Sequence, residues 1–178
     1  DSDEASLKLS PISALFRGDE RYAAEFGDYI SDDYMAKIRA NAESDWKRLH
    51  EIDRKTLNAQ DQIAYDVFEY QTKMGLESLS PQLLALQVVR PINHFSGMHT
   101  QYPDISSGKS AAPYKTVQDY ENGLKRMDGF AIYLDRCIGR MKEGEKSGVV
   151  ETKLTSLKQS KMSWPVWEFW RSWPFWKS

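Results

Sequence analysis

Apolar residues recur at intervals of three and four along three parts of the chain, and this spacing places them on one side of an α-helix. The three stripes are Ile38, Ala42, Trp46, Leu49 and Ile52; then Ile63, Val67, Tyr70 and Met74; then Tyr120, Leu124, Met127, Ala131, Leu134, Ile138 and Met141. The pattern therefore predicts three amphipathic helices.

Polar residues mark where these helices begin. Ser31 is a typical N-cap and is followed by two acidic residues that suit the positive end of a helix dipole. Asn58, with Asp61 three residues later, predicts the start of the second helix, which should end near Gly75. The short connection between these two helices predicts an antiparallel hairpin.

The third helix has the clearest signals. Thr116 with Asp119 three residues later predicts a variant of the capping box, and the helix should end before Gly144. At about 1.5 Å per residue it would be roughly 40 Å long. Gly123, Gly129 and Gly139 lie off its apolar stripe and lower helix propensity, so we expect packing to hold this helix in place.

The remaining segments are predicted to be shorter or irregular. Ser10, Pro11 and Gly18 delimit a short helix, and residues 19–30 form a polar, aromatic loop. A short helix is favoured from Ser80-Pro81 through residue 88, although the apolar run could also be a strand. The glycines, prolines and serines between Pro91 and Pro113 predict an extended loop of about twenty residues. The fold class is therefore all-α, an antiparallel bundle with one long irregular loop.

Composition excludes several classes of protein. The 178 residues carry a formal net charge of −2, which gives no electrostatic case for nucleic-acid binding. No apolar run approaches the roughly 20 residues of a membrane span. Cys137 is the single cysteine, so a disulfide framework and a thiolate-rich zinc site are excluded.

The C-terminal part differs from the rest, and we predict a helical domain at 1–155 and a tail at 156–178. The tail contains Trp164, Trp167, Trp170, Trp173 and Trp176. A three-residue period suits polyproline II better than an α-helix, and indole rings suit a membrane surface or a docking partner. Translation in a shifted frame is the alternative explanation of this composition.

Three groups of residues are candidates for chemical sites. His94, His99 and Asp104 lie in the long loop and could form a metal or acid/base site, but their spacing matches no common zinc pattern. Ser107-Gly108-Lys109-Ser110 ends like a phosphate-binding loop, but Pro103 stands where that motif requires glycine. Cys137 and His50 are expected to be structural. We assign no catalytic, cofactor-binding or metal-binding residue.

Several stretches, taken in order, resemble the N-terminal part of the domain-of-unknown-function 885 family, bacterial helical proteins related to thermolysin-like zinc peptidases. These stretches are 10–22, 49–53, 61–70, 91–99, 114–126, 133–134, 143–144 and 148–150. The resemblance implies zinc-dependent peptide hydrolysis in intact relatives, with zinc held by a His-Glu-Xaa-Xaa-His helix.

That zinc motif is missing from this sequence. His50-Glu51 comes nearest, but Arg54 stands where the second histidine is needed. In the family the motif lies further downstream, and the resemblance stops after Thr155, as a truncated or frame-shifted product would explain. We therefore expect a segment without its own cofactor that is not catalytic by itself and contributes a cleft wall for peptide substrate in an intact relative.

Two other functions stay open at this point. One is a non-enzymatic helical binding module whose tryptophan tail docks on a membrane surface or a partner protein. The other is catalysis by His94 and His99. The resemblance and the absence of an initial methionine favour an extracytoplasmic location.

Overall fold

The computed structural model describes residues 2–93, 95 and 97–158, and within them the chain forms helices and turns but no strand. The α-helices are α1 (Ser2–Leu9), α2 (Pro11–Phe16), α3 (Asp32–His50), α4 (Ala59–Ser78), α5 (Pro81–Gln87), α6 (Met98–Ile105) and α7 (Val117–Ser147). Residues 153–158 are also helical. The predicted all-α fold class is confirmed, whereas the five tail tryptophans lie outside the described residues.

Local side-chain hydrogen bonds start the long helices where the sequence predicts. The Ser31 hydroxyl accepts a bond of 3.0 Å from the Tyr34 N–H, and the Asn58 side chain accepts one of 2.9 Å from the Asp61 N–H. At α7, Thr116 and Asp119 form a complete capping box. The helix α4 continues past Gly75 to Ser78, one turn further than predicted.

Helices α3 and α4 form the predicted antiparallel hairpin. Arg39, in the first half of α3, donates a hydrogen bond to the backbone carbonyl of Leu79, which follows α4. At the other end, Arg54 follows α3 and pairs with Asp66 of α4 at 2.6 Å. The two contacts join opposite ends of the helices, which fixes their antiparallel direction.

The core lies where α2, α6, α7 and the segment between α2 and α3 meet. Phe26 stands at its centre, with ring centroids 5.2 Å from Tyr102, 5.4 Å from Phe130 and 5.5 Å from Tyr133. The other buried members of this core are Ile12, Leu15, Ile30, Ile105, Ala112 and Cys137. Residues 19–30 are thus irregular as predicted, apart from a 3-10 turn at Glu20–Tyr22, but they also contribute core residues.

The prediction of an extended loop between Pro91 and Pro113 is wrong in part, because α6 lies within it. Gly97 and Pro103 both have low helix propensity. Gly97, however, lies just before the first turn of α6, at a φ of 137°, and is not part of the helix itself. Pro103 falls near the C-terminal end, where it removes a single backbone hydrogen bond. Burial of Tyr102 and Ile105 in the core stabilises the helix despite these two residues.

The apolar stripe predicted on α7 coincides only in part with its buried face, because Met127 and Leu134 pack against the core but other members of the stripe do not. Leu124 is 64% exposed and Ile138 51% exposed. The residues that α7 buries are instead Gly123, Arg126, Tyr133, Cys137 and Gly144. Small residues allow close approach on this side, so Gly123 and Gly129 mark the packing face, whereas Gly139 meets no neighbour.

The shorter helices largely follow the sequence. α2 begins after Ser10 and α5 after Ser80, and the helical interpretation of the second segment is confirmed over the strand alternative. α1 was not predicted. It packs on α3, where the Ser2 hydroxyl donates a hydrogen bond of 2.5 Å to Asp45.

Candidate functional site

The structure does not unite His99 and Asp104, and His94 lies outside the described residues. His99 is in the first turn of α6, whereas Asp104 is exposed at the other end of the same helix. Because these two residues are five positions apart, their side chains lie on different sides of the helix. Among the residues the structure describes, no group of three or more His, Cys, Asp or Glu side chains could hold a metal ion.

The His99 imidazole is held in an environment that favours its neutral form. Burial lowers the pKa of this side chain, and a hydrogen bond with the backbone of Asn93 opposes the shift only in part. Its Nδ1 atom is buried without a hydrogen-bond partner in the described part of the chain. His99 therefore resembles a packed structural histidine, and the proposed His94 and His99 pair stays untested.

The Gly-Lys-Ser sequence forms the turn that follows α6. The Ser107 hydroxyl donates to the Asp104 carbonyl at 2.6 Å and accepts from the Lys109 N–H at 3.2 Å. Gly108 adopts a φ of 76°, with the Tyr114 ring directly beside it. The Ser107 hydroxyl therefore takes part in the hydrogen bonding that ends α6 and begins the next turn.

His50 belongs to the contact between α3 and α4. Its Nδ1 lies 2.8 Å from the Trp46 carbonyl, and its Nε2 lies 3.0 Å from a carboxylate oxygen of Glu69. The helix α3 ends at His50, and Arg54 begins a separate 3-10 turn. Residues 50–54 therefore do not fit the zinc-binding helix that the family resemblance implies for intact relatives.

Cys137 is a buried structural cysteine, as expected. It is 1% exposed and packs in the aromatic core. Burial raises the pKa of its thiol, and this outweighs a hydrogen bond with Tyr133 that acts in the opposite direction. A neutral buried thiol is a poor nucleophile, which fits a structural residue.

Two apolar helix faces are exposed to solvent. We name the first the α4 stripe, formed by Ile63, Val67, Tyr70 and Met74. We name the second the α7 seam, formed by Tyr120, Leu124, Ile138 and Met141. The α4 stripe points away from α3, because the less exposed residues of α4 lie on its opposite side. Sequence reasoning found both faces but expected them to pack within the chain.

Arg126 of α7 is a second notable feature, and it was not among the candidate residues predicted from the sequence. Arg126 is 2% exposed, and one of its guanidinium nitrogens donates to the backbone carbonyl of Ala23. No carboxylate of the described residues forms an ion pair with it. The sequence offers one signal, because Arg126 falls on the same side of α7 as Gly123 and Phe130.

Arg126 lines a cavity of about 540 Å³ at the N-terminal end of α7. The walls come from α2, the segment after it, the turn before α7 and the first turns of α7. The polar residues of the wall are Glu20, Lys115, Thr116, Gln118, Asp119, Asn122 and Arg126. Part of the wall, residues 111–113, belongs to the segment between Pro91 and Pro113 that was predicted to be a loop.

In its described residues this is a helical protein without strands, with two exposed apolar helix faces and a cavity lined by the buried Arg126. None of its described helices is long and apolar enough to cross a membrane. The chain belongs to the DUF885 family, described as bacterial protein of unknown function, whose family model matches residues 11–160. No curated protein and no solved structure matches the chain significantly. The family resemblance drawn from the sequence is thereby confirmed.

Proposed function

We propose that this chain is a non-catalytic helical segment of a zinc-peptidase-like protein and packs against the zinc-bearing part of that protein. The proposal rests on the resemblance for the peptidase class. It rests on the two exposed apolar faces for the packing role. In this view the segment positions a wall of the substrate cleft and supplies no metal ligand.

The exposed apolar faces are the observation that carries the proposal. Ile63 is 65% exposed and Tyr70 66% exposed on the α4 stripe, and the α7 seam is comparably open. Amphipathic helices in water normally turn such faces inward. Exposed apolar residues that share one helix face are typical of a site that binds another protein surface.

The chemistry of the histidines supports the non-catalytic part of the proposal. A thermolysin-like site needs two histidines one helical turn apart, with a glutamate that activates the zinc-bound water. His50 is instead engaged by Trp46 and Glu69. His99 lies on α6 between Met98 and Thr100, and this helix contains no glutamate.

A zinc and activity measurement tests the non-catalytic part. The purified chain is loaded with zinc, dialysed, analysed for bound metal and assayed on a mixture of peptides with and without a chelator. We expect no stoichiometric zinc and no hydrolysis that the chelator abolishes. Tight binding of one zinc ion per chain, or chelator-sensitive hydrolysis, would overturn the proposal.

A binding titration tests the packing part. The partner is the purified region of a family relative that contains the His-Glu-Xaa-Xaa-His motif. We expect saturable binding that the double variant Leu124→Gln, Ile138→Gln weakens at least about tenfold, or about 1.4 kcal/mol. Lys125→Gln changes an exposed residue of α7 outside the seam and should leave the affinity unchanged.

Two results of this titration would contradict the packing role. One is the absence of binding by the unaltered chain. The other is an equal loss of affinity in the seam variant and in Lys125→Gln, since that pattern would show that the seam is not the contact surface.

A further inference from the structure

We propose that the first two tryptophans of the tail, Trp164 and Trp167, bind a groove at the C-terminal end of α7 in the same chain. The groove includes one end of the α7 seam, so a bound tail would compete there with the partner surface proposed above. The inference does not need that partner, and it is tested on this chain alone, so its failure is separate from a failure of the packing role.

The groove, which we name the α7 groove, has an apolar floor. Its described walls come from the segment after α5, the last turns of α7 and the segment after α7, and they enclose about 510 Å³. The apolar residues of these walls are Val89, Ile92, Ile138, Met141, Val149 and Val150. A concave site of this size with a mainly apolar lining is typical of one that takes an apolar or aromatic group.

Close backbone packing forms the floor of the α7 groove. Gly144 of α7 is buried, and a β-carbon at this position would stand 3.1 Å from the Val89 Cβ and 2.5 Å from the Val149 carbonyl oxygen. The segments on the two sides of the groove therefore pack directly on the backbone of α7. A site formed in advance costs less conformational entropy on binding than one that must be assembled.

Apolar side chains stay exposed from the α7 groove to the last described helix. Met141 is 40% exposed and Val150 58% exposed, and Leu154, in the short helix at 153–158, is 64% exposed. Exposed apolar residues that are near one another in a fold are typical of a contact surface. These residues lead directly to the segment that contains the tryptophans.

The tail starts beside the α7 groove. Ser156 lines the groove, and Trp164 follows it by eight residues in the sequence. An extended chain spans about 3.3 Å per residue, whereas the stretch of α7 from Ile138 to Glu145 is only about 10 Å long. The indole rings of Trp164 and Trp167 can therefore reach the groove. A segment tethered this closely has an effective concentration on the order of millimolar, which favours it over a free partner.

The rim of the α7 groove suits an indole ring. Its charged residues are Arg90, Lys142, Glu145 and Glu151, whose charges cancel. A cationic side chain can stack on the face of an indole, and a carboxylate can accept a hydrogen bond from the indole N–H. Residues 159–178 carry a net charge of +2 and the rest of the chain −4, so the long-range electrostatic interaction is also attractive.

Fluorine NMR of the complete chain labelled with 5-fluorotryptophan tests the proposal. Single replacements by phenylalanine assign the signals of Trp46, Trp164 and Trp167. We expect the signals of Trp164 and Trp167 to differ from their positions in the urea-unfolded chain and to be independent of protein concentration over a tenfold range. The signal of Trp46, which belongs to α3, reports whether the fold is intact.

Two groove variants and one matched control make the test specific. Met141→Gln and Val150→Gln change exposed groove residues, so the fold should tolerate both. Each should weaken the binding of the tail about tenfold and move the signals of Trp164 and Trp167 toward their unfolded positions. Leu124→Gln makes a similar change on the α7 seam roughly 25 Å away along the helix and should leave these signals unchanged.

Several outcomes would overturn the proposal. They are signals of Trp164 and Trp167 at their unfolded positions, no response to either groove variant, and an equal response to Leu124→Gln. Signals that depend on protein concentration would identify a second copy of the chain as the occupant. Signals that leave their unfolded positions only when phosphatidylglycerol vesicles are added would show that the tail binds a membrane surface instead.

Discussion

Gly129 of α7 lies so close to Phe26 that a β-carbon at position 129 would stand 2.6 Å from the Phe26 Cβ. Non-bonded carbon atoms do not approach so closely without displacement. The backbone of α7 therefore rests directly on the residue at the centre of the aromatic core. Gly139, ten residues further along the same helix, has nothing within 4 Å of the corresponding position.

This difference gives a matched pair of variants. Gly129→Ala should lower the free energy of unfolding by about 1–3 kcal/mol, because the added methyl group overpacks the contact with Phe26. Gly139→Ala should raise it by up to about 1 kcal/mol, because alanine has the higher helix propensity and meets no neighbour. Urea unfolding followed by circular dichroism measures both. Equal effects of the two variants would contradict the contact with Phe26.

Leu124 tests whether the α7 seam is exposed, and Leu15 of α2 provides a core residue for comparison. Leu15 belongs to the core, so Leu15→Ala should destabilise the chain by about 2–5 kcal/mol. Leu124 lies on the exposed α7 seam, so Leu124→Ala should change the stability by less than about 0.5 kcal/mol. The same urea experiment compares the two. A large loss for Leu124→Ala would show that the seam packs within the chain after all.

Asp28 should make the chain sensitive to acid. Burial alone would raise the pKa of its carboxyl group, but hydrogen bonds from Ser31 and Ile30 and the nearby Arg136 hold the pKa below its ordinary value. A pKa depressed by folding contributes stability above the unfolded value, near 4, and this contribution is lost as the pH falls through the folded value.

The variant Asp28→Asn isolates that contribution. It should be less stable than the unaltered chain at pH 7, and the difference should shrink as the pH falls below about 4. Urea midpoints measured from pH 7 down to pH 3 provide the comparison. A difference that stays constant over this range would show that ionised Asp28 contributes no stability.

Thr116 should stabilise the start of α7 through its side chain. Its hydroxyl accepts a bond of 3.2 Å from the Asp119 N–H. Thr116→Ala should therefore cost about 1 kcal/mol of stability, whereas Thr116→Ser keeps the hydroxyl and should cost much less. Thermal unfolding of the three proteins tests this. Similar melting temperatures for the alanine and serine variants would argue against the cap.

Cys137 should react with thiol reagents only when the chain unfolds. The thiol is almost fully buried and its pKa is raised by that burial. The folded protein should label slowly at pH 8, and the urea-unfolded protein should label at once. Rapid labelling of the folded chain would show that the helices around Cys137 open readily.

Features that depend on residues close in sequence were predictable. The caps at Ser31, Asn58 and Thr116 each use a hydrogen bond to a residue three positions away, so the sequence contains both partners within one turn. The helical hairpin followed from a short connection and two periodic stripes. The family relationship was also recognisable, because it depends on the order of several short stretches.

Features that depend on distant residues were not predictable in this way. The buried face of α7 is selected by Phe26, and Arg126 finds its acceptor at Ala23, 103 residues earlier in the chain. Apolar periodicity reports which face can be buried but not whether a partner exists. The helix α6 was missed because burial of Tyr102 outweighs the weak helix propensity of Gly97 and Pro103.

The glycines of α7 also have a consequence for the order of folding. Gly123, Gly129, Gly139 and Gly144 make this 31-residue helix a poor one on its own. Its docking partners Phe26 and Val89 come from remote parts of the chain, so a large loop must close before they reach it. We therefore expect the longest helix to complete its structure late, after the local hairpin of α3 and α4 has formed.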